Sequence, residues 1–120
     1  MKKLLYIYNP AAGRRTAKAS LSDVVEVFSR QGYEITVHPT QGRGDATRTV
    51  LEDGGGFDRV VCCGGDGTLN ETVQGLLALP ADKRPVLGYI PAGTTNDFSR
   101  TLELPKPVAE LAQVAGVGAP

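Results

Sequence analysis

Gly64-Gly65-Asp66-Gly67-Thr68 is the run of residues in this 120-residue chain whose types and spacing best suit chemistry. Its three glycines remove side chains where a backbone must approach something closely. They also leave bare N–H groups near the start of a helix, which favours an anion such as a phosphate. An aspartate in the middle of such a loop would repel that phosphate unless a cation stood between them. Asp66 therefore points to a magnesium–nucleotide complex, the ion held directly or through water. The alternative for Asp66 is a turn aspartate that caps the following helix. Thr68 and Asn70 could hydrogen-bond phosphate or ribose, while Glu71 in the first helical turn either joins them or simply complements the helix dipole.

The familiar nucleotide fingerprints are absent. No glycine is followed by lysine, which rules out Gly-x-x-x-x-Gly-Lys-[Ser/Thr], and Gly65-x-Gly67-x-x-Asn70 lacks the third glycine of the dinucleotide pattern. The phosphates must be held another way.

The elements that position these residues follow from apolar periodicity. Residues 4–8 form a short apolar run suited to a buried parallel strand. Leu21, Val24, Val25 and Phe28 then fall on one helical face, ending near Gly32. Residues 33–37 alternate as a second strand. A helical stretch opens at Gly44-Asp45-Ala46 and closes at Gly54-Gly55-Gly56. Residues 59–63 make a third strand, Leu69, Val73, Leu76 and Leu77 a further helix, and residues 85–90 a fourth strand. Val108, Leu111, Ala112 and Ala115 suggest a last helix. This order predicts an α/β domain over residues 1–120, doubly wound, with a mostly parallel sheet and helices on both faces. Ligands in such sheets bind beyond the carboxyl ends of the strands. Three strand-to-helix junctions there are polar and glycine-rich: residues 9–13, 64–71 and 91–97. Strand-to-helix turns favour such residues anyway, but three converging on one edge predict a site.

Composition narrows the function. The 13 Lys and Arg balance 13 Asp and Glu, so the chain lacks the basic excess of a nucleic-acid module. No segment reaches the ~18 apolar residues that span a bilayer, and the opening apolar run is broken by Asn9-Pro10, too early for a signal peptide. A cytoplasmic protein is the expectation. Cys62 and Cys63 are neighbours, which suits two reduced thiols better than a disulfide. One histidine and no Cys-x-x-Cys leave a zinc site unsupported, and an isolated His38 reads as a packed or surface residue.

With these residues in view, Gly64-Gly65-Asp66-Gly67-Thr68 followed by Leu69-Asn70-Glu71 resembles the nucleotide loop of the diacylglycerol kinase catalytic superfamily. That superfamily includes sphingosine and ceramide kinases, with NAD kinases and phosphofructokinases as more distant relatives. Pro91-Ala92-Gly93-Thr94-Thr95-Asn96-Asp97-Phe98-Ser99-Arg100 is similar to the second signature of bacterial soluble lipid kinases and argues against an NAD kinase-like fragment. Asn9-Pro10-Ala11-Ala12-Gly13, Thr40 and Gly44-Asp45-Ala46 fit the same enzymes.

The resemblance implies an ATP- and magnesium-dependent kinase that moves the γ-phosphate to a lipid hydroxyl, diacylglycerol by default. It implies that Asn9, Pro10, Ala11, Ala12, Gly13 and Thr40 line the adenosine-phosphate side of a cleft. Gly65, Gly67, Thr68, Leu69, Asn70 and Glu71 would wrap the nucleotide, with Asp66 in the metal network. Thr94 would contact the nucleotide, Asp97 would join the polar network at the transfer site, and Arg14 either meets phosphate or is a solvated surface residue. In the family the base that takes the acceptor proton lies in a second, β-rich domain, expected beyond Pro120. This chain alone would then bind magnesium-ATP weakly and phosphorylate little. The other class of function left open is a non-catalytic nucleotide-binding module. Membrane contact would be peripheral and transient. Homodimers are common among soluble lipid kinases of this type, through a part outside these residues.

Overall fold

A computed structural model describes residues 2–92 and 102–104. Strand β1 (Lys2–Tyr8) is followed by helices α1 (Ala12–Ala19) and α2 (Leu21–Arg30), strand β2 (Tyr33–Pro39) and helix α3 (Asp45–Asp53). Strand β3 (Arg59–Gly64), helix α4 (Asp66–Ala78), strand β4 (Val86–Pro91) and strand β5 (Leu102–Leu104) complete the order. The sheet runs β2-β1-β3-β4-β5. Its first four strands are parallel, with Leu5 opposite Thr36 and Val60, and Val60 opposite Leu87; β5 pairs antiparallel with β4.

The period of two along each strand sorts the core into two layers. Leu5, Ile7, Val60, Cys62 and Leu87 face Ala46, Val50, Leu69, Val73 and Leu76 of α3 and α4. Leu4, Tyr6, Tyr8, Val61, Cys63 and Ile90 face Ala17, Val24 and Phe28 of α1 and α2. Both faces of β1 and β3 are therefore sealed, which is why these strands read as continuous apolar runs. The adjacent Cys62 and Cys63 are free and buried, one in each layer. Burial pushes the Cys62 thiol up to about 12 and raises Cys63 as well, so neither is poised to react.

The α/β class and the doubly wound arrangement match the expectation, with three differences. Helix α1 was not foreseen: its sequence Ala-Gly-Arg-Arg-Thr-Ala-Lys-Ala contains one core residue, Ala17, so it carries no apolar stripe. Ala12 and Gly13, read as loop, belong to its first turn. Helix α4 starts at Asp66, three residues before its first apolar position, so Asp66, Gly67 and Thr68 are helical rather than loop. Strand β5, three residues long, is too short to show an alternation. The helix expected around residues 108–115 lies outside the described residues.

Two features fix α4. The guanidinium of Arg84 donates from Nε to the carbonyls of Leu76 (2.8 Å) and Leu79 (3.2 Å), and from Nη2 to that of Leu77 (3.0 Å), capping the C-terminus where carbonyls lack helical partners. At Gly75, α4 meets α3 so closely that a Cβ would stand 2.7 Å from Val50 Cβ and 3.0 Å from the Thr47 carbonyl oxygen. Gly75→Ala must push the helices apart, and an overpacked contact of this kind costs ~1–3 kcal/mol. Urea unfolding should show that loss as a lower midpoint with an unchanged slope.

Candidate functional site

At the carboxyl edge of the sheet the main chain ties neighbouring junctions together. The Asn9 amide donates to the Cys63 carbonyl (3.0 Å), the Thr40 amide to that of Tyr8 (2.8 Å), and the Ala92 amide to that of Gly64 (2.9 Å). Asn9 also turns the chain locally: its Oδ1 accepts from the Ala11 amide at 3.0 Å, an Asx turn that leads into α1. These bonds set the starts of the β1–α1, β2–α3, β3–α4 and β4 junctions side by side.

Between them opens a cleft of about 480 Å³, lined by Asn9, Pro10, Ala11, Thr40, Gln41, Gly42, Arg43, Ala46, Gly67, Thr68 and Glu71. Eight residues singled out from the sequence thus come together: Asn9, Pro10, Ala11, Thr40, Ala46, Gly67, Thr68 and Glu71. Asn70 borders an adjoining depression with Arg43, Gly44, Thr47 and Gln74, and its Oδ1 accepts from Gln74 Nε2 at 2.9 Å. Leu69 does not face the cleft; its side chain is packed in the core of the α3–α4 layer. Ala12 and Gly13 lie just past the lining residues, in α1. The side chain of Arg14, and Thr94 and Asp97 altogether, lie outside the described residues.

The three glycines of the 64–68 run differ in physical role. A Cβ at Gly64 would collide with Thr68, 2.5 Å from its Oγ1, so the half-buried first turn of α4 itself requires glycine there. Among the described residues a Cβ at Gly65 or Gly67 would meet nothing within 4 Å, and neither residue has a left-handed backbone. Neither strain nor packing against the described residues demands glycine at either position. What their bare backbones leave is open space at the N-terminus of a 13-residue helix, where unpaired N–H groups and the macrodipole attract negative charge.

Asp66 is exposed as the first residue of α4. The helix is N-capped by Gly65, with no side-chain capping bond, so Asp66 is not the capping aspartate. It is close enough to Tyr89 to add to the rise in that phenol, which burial raises first. Tyr89 in turn donates to the Gly64 carbonyl at 3.1 Å, bracing the end of β3. Among the described residues no group of three His, Cys, Asp or Glu side chains gathers as a metal site. Magnesium is commonly held by one or two carboxylates plus phosphate and water, and the exposed Asp66 fits that donor set.

Sequence reasoning missed the fourth junction as a wall of the cleft. Gln41, Gly42 and Arg43 line it unforeseen, beside Thr40 and Ala46, which only the resemblance had brought in. The signal was available: β2 ends on the same carboxyl edge, and Gln41-Gly42-Arg43-Gly44 is as glycine-rich as the other junctions. Arg43 puts an exposed cation at the mouth. Glu71 ties this wall to α4, its Oε1 accepting from the Gly44 amide (3.0 Å) while its carbonyl accepts from Thr47 Oγ1 (2.7 Å). Gly44 needs its glycine, at φ 86°.

The loop is held from its other side by Asp45, 6% exposed. Its Oδ2 accepts from His38 Nε2 (2.8 Å) and from the Gln41 amide (2.8 Å), and its Oδ1 accepts from Arg48 Nη2. Burial pushes this carboxyl up, but the bonds from His38, the Gln41 amide and Arg48 outweigh it, and Asp45 is held below the ordinary carboxylate range. Because the folded value lies below the unfolded one, ~3.9 for a free side chain, Asp45 stabilises fully above that pH. The contribution is lost as pH falls through the folded value. Asp45→Asn should therefore lie well below wild type in stability near neutrality and converge on it in acid, read from urea midpoints across pH 2.5–7.

The diacylglycerol kinase catalytic domain matches residues 3–118 of the chain. A diacylglycerol kinase of Bacillus subtilis is 48% identical over 107 residues, covering 88% of this chain and 35% of that protein. One from Staphylococcus carnosus is 40% identical over 117 residues, covering 94% and 37%. The crystal structure of a diacylglycerol kinase from Bacillus anthracis superimposes with a TM-score of 0.68 at 37% identity, over 96% of this chain and 40% of that one. The chain spans about a third of the length of the curated relatives it matches.

Proposed function

The chain belongs to the diacylglycerol kinase catalytic domain family, and on that premise we propose that it is the ATP-binding part of a lipid kinase. The full enzyme would pass the γ-phosphate of magnesium-ATP to the hydroxyl of a lipid, with diacylglycerol as the default acceptor. The observation that carries this reading is the open backbone at Gly65 and Gly67. Among the described residues nothing fills the place of their missing side chains, and Gly67 lines the cleft.

Phosphoryl transfer asks little covalent chemistry of a protein and much positioning and charge compensation. The amides at the start of α4 would receive phosphate oxygens, with Thr68 Oγ1 as a neighbouring donor. Arg43 would offset phosphate charge from the opposite wall. Asn9, Pro10, Ala11 and Thr40 would enclose the nucleotide on the β1–β2 side. Asp66 would hold magnesium, which when bound neutralises phosphate charge as the transfer proceeds. Asp97 and Thr94, outside the described residues, are proposed to complete the polar network and the nucleotide contact. The base that takes the acceptor proton would come from outside these 120 residues. No described helix is long and apolar enough to cross a membrane, and the lipid would be met peripherally from the cytoplasmic side.

Calorimetric titration of the purified chain with ATP, with and without magnesium, tests this. Saturable, magnesium-dependent binding should be lost in Asp66→Ala. Gly67→Ala should be as stable as wild type, or up to ~1 kcal/mol more stable, since alanine is the better helix former. It should nevertheless bind ATP at least about tenfold more weakly, because the methyl occupies the ligand's space. No binding by the folded wild type, or full binding by Gly67→Ala, would contradict the proposal.

A further inference from the structure

His38 is the chain's one histidine and lies outside the cleft, but it is tied to the loop that forms one wall. Its Nε2 sits 2.8 Å from Asp45 Oδ2 and 3.1 Å from Thr49 Oγ1. The Thr49 hydroxyl spends its proton on the Asp45 carbonyl, at 2.8 Å. Ionised Asp45 has no proton to give. Both neighbours of Nε2 are therefore acceptors, and these partners assign the proton to Nε2.

The same Asp45 Oδ2 receives the Gln41 amide. The imidazole thus orients the carboxylate, and the carboxylate turns the amide of Gln41 inward. With the Thr40 amide bound to Tyr8 and the Gly44 amide to Glu71, residues 40–44 are pinned at three places. Their remaining surface is what Thr40, Gln41, Gly42 and Arg43 present to the cleft. Neither His38 nor Asp45 lines that cleft.

We infer that His38 and Asp45 are positioning residues for the nucleotide, holding residues 40–44 in the shape that forms the wall without touching the ligand. This rests on the nucleotide-binding reading above. A loop held in one conformation before binding loses less entropy when the ligand arrives. Without the imidazole donor, the carboxylate is left with the largely exposed Arg48 as its only side-chain partner among the described residues, and its hold on the Gln41 amide slackens.

The test compares wild type, His38→Leu and His38→Gln for magnesium-ATP affinity by NMR titration, at a temperature well below each variant's unfolding midpoint. Glutamine keeps an N–H donor near the position of Nε2; leucine keeps only bulk. His38→Leu should raise the Kd about tenfold, the scale of one or two lost hydrogen bonds, and His38→Gln should restore it to within about twofold. Should His38→Leu not fold, Asp45→Asn under the same titration carries the same expectation. A lower unfolding midpoint with an unmoved Kd would make the pair merely structural and overturn the inference. Equal losses in the leucine and glutamine variants would overturn it too, since the donor would then not be what matters. Failure of wild type to bind ATP would overturn the nucleotide reading and this inference together, whereas binding that His38→Leu leaves unmoved overturns this inference alone.

Discussion

The arrangement of the cleft depends on how closely two helices can approach. Where α4 passes α3, Gly75 offers no Cβ, and the Thr47 carbonyl and Val50 side chain occupy that space. The approach brings the start of α3 over the first turns of α4, within reach of the Glu71 bonds to Gly44 and Thr47. A cleft wall made of residues 40–44 is thus set by a packing contact in the C-terminal part of α4, on the same helix whose N-terminus faces the open space. Wall and floor are joined through one rigid element, which Arg84 closes at the far end.

Glycines alike in sequence separate in structure into those the protein needs and those it does not. Gly64 is excluded from alternatives by Thr68, Gly75 by α3, and Gly44 by its left-handed backbone. Among the described residues neither the N-cap Gly65 nor Gly67 in the first turn meets such a demand. A helical glycine such as Gly67, which costs helix stability, is expected where a ligand supplies the reason. Asp45 is a different case, a buried carboxylate whose desolvation is offset by three donors; its value lies in the conformation it imposes on the neighbouring loop.

Most of the fold was legible because parallel strands sealed on both faces leave unbroken apolar runs, as at residues 4–8 and 59–63, and because α2 and α4 carry apolar stripes. Helix α1 was hidden: it buries Ala17 and otherwise shows glycine, arginine, threonine and lysine. The convergence of residues 9–11 with 67–71 followed from topology alone. The β2–α3 wall is harder to read because its glycines, Gly42 and Gly44, are separated by Arg43 rather than adjacent as at the β3–α4 junction, and its acid, Asp45, is buried and bonded to the loop rather than exposed like Asp66. Leu69 was drawn into the site by its place in a motif, while its side chain obeys the apolar spacing of α4 and turns to the core. The partnership of His38 with Asp45 joins a strand residue to a helix residue seven positions on, a distance that no local pattern announces.

Cys62 and Cys63 share a peptide bond but belong to different layers of the molecule. Both are shielded, and both thiols are raised by burial, so each can be alkylated only when its own layer opens. A single tryptic peptide therefore holds a two-channel record of partial opening. A label on the first sulfur marks the lifting of α3 and α4, a label on the second the lifting of α1 and α2. The order in which the two layers come away is written into two consecutive residues.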